Sequence, residues 1–211
     1  MTQNVAVIAA NGKSGQLIVR EAVDRGLDVA AVVRGENKTV ARHAIVKDLF
    51  DLTAADLAGF DVVVDAFGAW TPETLPRHST SLKHLADVLS GADARLIVVG
   101  GAGSLYVNPE HTVHLSQTDG FPESFLPLAT AMGGGFPRRI SSTPKSKRFR
   151  GACACGQDPN LHGDSGLLPL GRFSTSPRMV LGRTSSPLRI TPSCVIRRLL
   201  VRIPMPRVGA L

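Results

Sequence analysis

No apolar run in the sequence approaches the roughly 18 to 20 residues that a helix needs to cross a bilayer, so a helical membrane span is excluded. A basic n-region is also missing. The first apolar run, Val5 to Ala10, is short and leads straight into a glycine turn, so it reads as a strand rather than a secretion signal, and the cytoplasm is the expected location. Cysteine is scarce: Cys153, Cys155 and Cys194 make an odd set in a chain with no export signal, which argues against a disulfide framework. Tyrosine is scarcer. Tyr106 stands alone, and the residue four positions on is Glu110, so a Tyr-x-x-x-Lys acid-base pair cannot be built. Acidic residues almost vanish beyond residue 133, where 14 Lys/Arg stand against 2 Asp/Glu; residues 1 to 133 hold 10 and 15. The net charge of +7 is thus an average over two differently composed segments, and it does not by itself indicate a nucleic-acid partner.

What is present in the first segment is a repeated alternation of strand and helix. Asn4 to Ala10 is a β-branched run without polar alternation, the pattern of a parallel strand covered on both faces. Asn11 to Gly15 turns the chain, and Gln16 to Arg25 places Leu17, Ile18, Ala22 and Val23 on one helical face, with Gly26 as the stop. Asp28 to Arg34 and Ala44 to Val46 read as a second and third strand, and Thr53 is placed to cap a short helix leading to Phe60. Asp61 to Ala66 is a fourth strand, Ser81 to Leu89 a helix with Leu82, Leu85, Ala86 and Leu89 at helical spacing, and Arg95 to Gly100 a fifth strand. Repeated β-α units imply a parallel sheet with right-handed crossovers and helices on both faces.

Ala9-Ala10-Asn11-Gly12-Lys13-Ser14-Gly15 lies between the first strand and the first helix. Glycine at 12 lets the backbone approach a pyrophosphate, glycine at 15 lets the helix pack on the sheet, and the helix N-terminus points its amides at the phosphates. The bland alternative is an ordinary βα turn. Gly12-Lys13-Ser14 also matches the end of a P-loop, but the first glycine of that motif would fall on Val7, inside the strand, and the loop would be too short. In a doubly wound Rossmann-like domain the end of the second strand selects the cofactor: a carboxylate suits the ribose 2′-OH of NAD and an arginine the 2′-phosphate of NADP. Here the residue is Arg34, 19 positions after Gly15, with Lys38 nearby, so NADP(H) is expected over NAD(H) unless Arg34 is merely a solvated strand end. Asp48 and Leu49 follow the third strand, where a side chain can line the adenine or simply lead a loop. Ala66, Phe67 and Gly68 lie at the carboxyl end of the fourth strand, where ligands bind in open α/β sheets.

Together with Val98-Val99-Gly100-Gly101-Ala102-Gly103-Ser104-Leu105, these residues resemble the NAD(P)H-binding, NmrA-like branch of the atypical short-chain dehydrogenase/reductases, some of which are described as NADH-flavin reductase-like. The resemblance runs from residue 4 to about Met132 and takes in Phe121-Pro122-Glu123 and Pro127-Leu128-Ala129. The family turn is usually Gly-Ala-x-Gly-x-x-Gly, and Ala9 stands in the first glycine position. The resemblance places Ser104 near the nicotinamide as the one polar catalytic candidate. Without the tyrosine and lysine pair, it implies direct hydride transfer from NADPH to a small acceptor such as a flavin or quinone, or else a non-catalytic NADP(H) sensor.

From about Gly133 the pattern is lost. Pro137-Arg138-Arg139 and Lys145 to Arg150 are followed by proline or glycine every few residues, and 12 Arg against 2 Lys, so residues 133 to 211 are expected to be a basic, low-complexity, disordered tail after a domain at 1 to 132. Its abrupt onset is what a shifted reading frame in a GC-rich gene would give, and it leaves the C-terminal part of the sheet incomplete. The basic cluster could hold nucleic acid but has little aromatic interleaving. His111 and His114 beside Glu110, and Cys153-x-Cys155 with His162 and Cys194, lack metal-site spacing, so no metal is expected. Substrate and oligomeric state are not legible.

Overall fold

The computed structural model describes residues 3–108, 110, 112–134 and 150–153. Six parallel strands form one sheet: β1 (Asn4–Ile8), β2 (Asp28–Val33), β3 (His43–Val46), β4 (Val62–Asp65), β5 (Arg95–Gly100) and β6 (Arg150–Cys153), in the order β3-β2-β1-β4-β5-β6. Helix α1 (Lys13–Asp24) joins β1 to β2, α2 (Arg77–Val88) joins β4 to β5, and α3 (Leu126–Gly134) follows β5. The order reverses between β1 and β4, whose registers pair Val7 with Val64 and Ile8 with Asp65. This is the Rossmann-like α/β arrangement expected from the alternation.

Both faces of the sheet are covered, which is why β1 carries no polar alternation. Val5, Val7, Ala31, Val33, Val64 and Ile97 meet Ile18, Val19 and Ala22 of α1 on one side. Ala6, Ile8, Val32, Val63, Leu96 and Val98 meet Leu82 and Leu85 of α2 on the other, with Leu49, Leu52 and Leu57 closing that layer. Sheet and helices therefore form one frame, and the carboxyl ends of β1, β2, β4 and β5 open on the same side.

Several local expectations differ from the structure. Helix α1 begins at Lys13 rather than Gln16, and it buries Gly15, Ile18, Val19 and Ala22, leaving Val23 at 36% exposure. Helix α2 begins at Arg77 rather than Ser81. No helix follows Thr53; its N–H and hydroxyl both donate to the Asp56 carboxylate, at 2.8 and 2.7 Å, and close a turn that ends at Gly59 with φ +82°. The segment is too short to repay helix nucleation. Beyond the expected domain, the backbone of β6 pairs with β5 from Ile97↔Arg150 to Gly100↔Cys153, a strand that the proline- and glycine-broken composition does not announce. The rest of the basic segment, with Cys155, His162, Cys194 and Lys145 to Phe149, lies outside the described residues.

Candidate dinucleotide site

The turn after β1 is held by its own backbone. Gly12 N–H donates to the Ala9 carbonyl at 2.9 Å and Gln16 N–H to the Gly12 carbonyl at 2.9 Å, while Ala10 N–H continues the sheet to Val32 O at 3.2 Å. Ala9 sits at φ +56°, in the left-handed region that favours glycine. The resemblance places a glycine there, and the structure shows the reason. A Cβ on Gly15 would stand 2.6 Å from the Ala9 carbonyl oxygen and 2.7 Å from Ala10 Cα, and one on Gly12 would stand 3.2 Å from the same oxygen. The cradle exists because these two positions lack side chains. Gly12, the N-cap, is extended and no side chain caps the helix, so the first-turn amides of Lys13, Ser14 and Gly15 face the mouth of the turn. Gly12, Lys13 and Ser14 are exposed there. The described residues thus fit a dinucleotide diphosphate.

Asn11 connects this turn to the loop after β2. Its Nδ2 donates to Glu36 O and its Oδ1 accepts from Lys38 N–H, each at 2.8 Å. Arg34, at the end of β2, is exposed, and among the described residues it makes no ion pair. At the other side of the switch point Ala66 N–H donates to Ile8 O at 3.2 Å, so Ala66 and Ala9 lead away from paired strand ends.

Beyond β3 the arrangement departs from expectation. Leu49 is 6% exposed and packs with the α2-side core, so its side chain is committed to the interior rather than to an adenine. The Asp48 carboxylate accepts from Phe50 N–H at 3.0 Å and caps the short 3-10 turn Leu49–Asp51. Ser104 lies in a 3-10 turn just past β5, half-buried, with its hydroxyl 3.5 Å from Gly101 O. His114 Nδ1 is 3.0 Å from the Ser104 carbonyl, which can only accept, so that nitrogen carries the hydrogen. The His114 ring stacks on Tyr106 at 4.4 Å. His111 lies outside the described residues, among which no His, Cys, Asp and Glu cluster could hold a metal.

One residue of the crevice was not singled out from the sequence. Asp65 closes β4 at 4% exposure, its Oδ1 accepting from Phe67 N–H at 3.0 Å. Burial raises its carboxyl to about 6, with the Phe67 bond pulling the other way. The signal was there, a single carboxylate ending an otherwise apolar Val62-Val63-Val64 strand. Asp65, Phe67, His78, Ser81, Gly100 and Met132 line a small, open crevice beside the carboxyl ends of β4 and β5. His78 fastens the loop after β4, its Nε2 2.9 Å from Ala69 O and its ring edge-on to Phe67 at 5.8 Å. Gly68 stays exposed in that loop, where a Cβ would come 3.2 Å from Trp70 Nε1.

A glycine cradle at the end of β1, a parallel sheet that reverses its order beside it, and a crevice along β4 and β5 define a nucleotide-binding α/β domain. Residues 9–125 match the family described as NAD(P)H-binding, and the chain belongs to that family. It is similar to the uncharacterized protein YwnB of Bacillus subtilis (strain 168), with 42% identity over 132 residues, 61% of this chain and 62% of that one. Among solved structures it resembles SP1627, a "putative NADH-flavin reductase" from Streptococcus pneumoniae, with 53% identity, 63% of each chain covered and a TM-score of 0.61. A Lactobacillus casei protein matches at 30% identity over 63% of this chain and 65% of that one, with a TM-score of 0.54. The chain spans a little under two thirds of the length of these relatives.

Proposed function

We propose that this chain binds NADP(H) in preference to NAD(H) and acts as a reductase-type domain toward a small acceptor such as a flavin or quinone. The observation that carries the cofactor choice is Arg34: an exposed guanidinium, without an ion-pair partner among the described residues, stands at the strand end where a carboxylate would suit an unphosphorylated ribose. When bound, a reduced nicotinamide supplies a hydride. The chain's own residues bind and orient. Amides at Lys13 to Gly15 take the diphosphate, Arg34 and Lys38 the 2′-phosphate, and the reacting end lies toward the crevice beside Asp65 and Gly100. Ser104, past the end of β5, offers a hydroxyl to orient the acceptor.

The similarity to SP1627, described as an NADH-flavin reductase, supports the reductase half of this reading and raises NADH as the competing cofactor. Titration of the purified chain with NADPH and NADH therefore decides the cofactor, and oxidation of the bound cofactor in the presence of flavin or quinone decides the activity. One observation favours a second reading, a non-catalytic NADP(H) sensor. Glu110 occupies the place of the lysine that would activate Tyr106, and the Tyr106 ring is engaged in stacking on His114. Binding without turnover supports the sensor; absence of binding overturns both.

A further inference from the structure

Asn11 makes more of its side chain than a phosphate turn needs. Both functions of the amide are spent on one short stretch of backbone: Nδ2 donates to Glu36 O and Oδ1 accepts from Lys38 N–H, each at 2.8 Å. Its own carbonyl accepts from Gln16 Nε2 at 2.8 Å, so the residue is fastened to the first turn of α1 at the same time. The stretch it grips holds side chains of opposite preference. Arg34 and Lys38 suit a phosphorylated ribose, Glu36 suits a free 2′-OH, and all three are exposed. Which of them meets the ribose depends on how this backbone is set relative to the cradle, and Asn11 is the side chain that joins the two. The far half of the loop is tied separately, with Asn37 Oδ1 accepting from Thr39 N–H at 2.9 Å and Asn37 Nδ2 donating to Ala41 O at 2.9 Å. Asn11 therefore controls how a preformed loop docks, rather than whether the loop forms.

We infer that Asn11 is a specificity-determining positioning residue: by clamping the 36–38 backbone to the cofactor turn, it sets the discrimination between phosphorylated and unphosphorylated adenosine ribose. This rests on the binding site proposed above, but not on which cofactor that site prefers. Alanine at 11 removes both bonds. Aspartate keeps the acceptor for Lys38 N–H and loses the donor to Glu36 O. Lys38→Pro deletes the N–H that Asn11 accepts, and Lys38→Ala keeps it, so that pair isolates the bond with Asn11 itself untouched.

The experiment measures dissociation constants of the full chain for NADPH and NADH, and for the fragments 2′,5′-ADP and 5′-AMP, by calorimetry. For Asn11→Ala the ratio of phosphorylated to unphosphorylated affinity should move toward one by about three- to tenfold, the scale of one or two lost hydrogen bonds. Asn11→Asp should fall between alanine and wild type, and Lys38→Pro should be closer to one than Lys38→Ala. An unchanged ratio in a folded Asn11→Ala protein overturns the inference. If that variant does not fold, equal ratios in the two Lys38 variants overturn it. A wild type that prefers NADH defeats the NADP reading and leaves this inference standing if the variants still move the ratio toward one. A wild type that binds neither, or both equally, defeats the two together.

Discussion

Gly15 and Ala9 are packed so closely that a Cβ on the glycine would lie 2.6 Å from the alanine carbonyl oxygen, with Ala10 Cα and O equally near at 2.7 Å. All of these neighbours are backbone of the turn between β1 and α1, so none can step aside cheaply. Gly15→Ala should lower stability by about 3 kcal/mol, at the upper end of overpacking costs, and should cut dinucleotide affinity more than tenfold as α1 is pushed outward. Urea unfolding and calorimetric titration of the same sample check both halves.

Ala9 offers the opposite test. At φ +56° an L-residue pays roughly 1 to 2 kcal/mol for its Cβ, while glycine costs about 0.5 to 1 kcal/mol in chain entropy. Relief exceeds cost, so Ala9→Gly should stabilise the protein by up to about 1 kcal/mol. Urea midpoints read this directly, and a lower midpoint at an unchanged slope contradicts the account.

Arg34 is expected to act on one cofactor only. Its replacement by serine removes a charge-assisted contact worth about 1.5 to 3 kcal/mol, which is roughly 10- to 100-fold in NADPH affinity. NADH affinity should change less than threefold. Parallel loss of both would mean that Arg34 supports the fold rather than reads the ribose.

Asp65 should give the protein an inverted acid response. Its carboxyl is raised from 3.8 to about 6 by burial, so between those values the folded chain holds the proton more tightly than the unfolded chain does. The protein gains stability from this group below pH 4 and loses it as pH rises toward 6, by about 3 kcal/mol in all. Asp65→Asn keeps an oxygen for Phe67 N–H and removes the ionisation. The difference in unfolding free energy between variant and wild type should therefore grow in favour of the variant from pH 4 to 6 and level off above. A flat difference over that range would show that the carboxyl ionises there as freely as in the unfolded chain.

The sequence made the strand, glycine turn and helix at 4–24 legible because three independent signals agree there: an unbroken apolar run, glycines three apart, and helical spacing behind them. Where only one signal exists, the sequence is less legible. Thr53 looked like a cap, but Asp56 three residues on competes for its N–H and hydroxyl and closes a turn instead. Leu49 sits next to a polar aspartate at a strand end, and only the packing of α2 across the sheet draws it into the core. Asn11 reaches Glu36 and Lys38 over 25 and 27 residues, and no local pattern encodes a contact of that range. Asp65 likewise shares its crevice with Ser81 and Leu82 of α2 and Val98 and Val99 of β5, residues that no local pattern around it announces.

With β6 seated along β5, one margin of the described sheet is β6, and the other lies on the far side of β2. That margin is the four-residue β3, His43–Val46, which has Lys47 directly after it and a side chain at Val46 that is 60% exposed. So short a rim, closed by a cation, makes a poor template for recruiting a stranger's strand. At this rim, contact with another molecule favours side-chain surfaces over a continuous ribbon of backbone bonds.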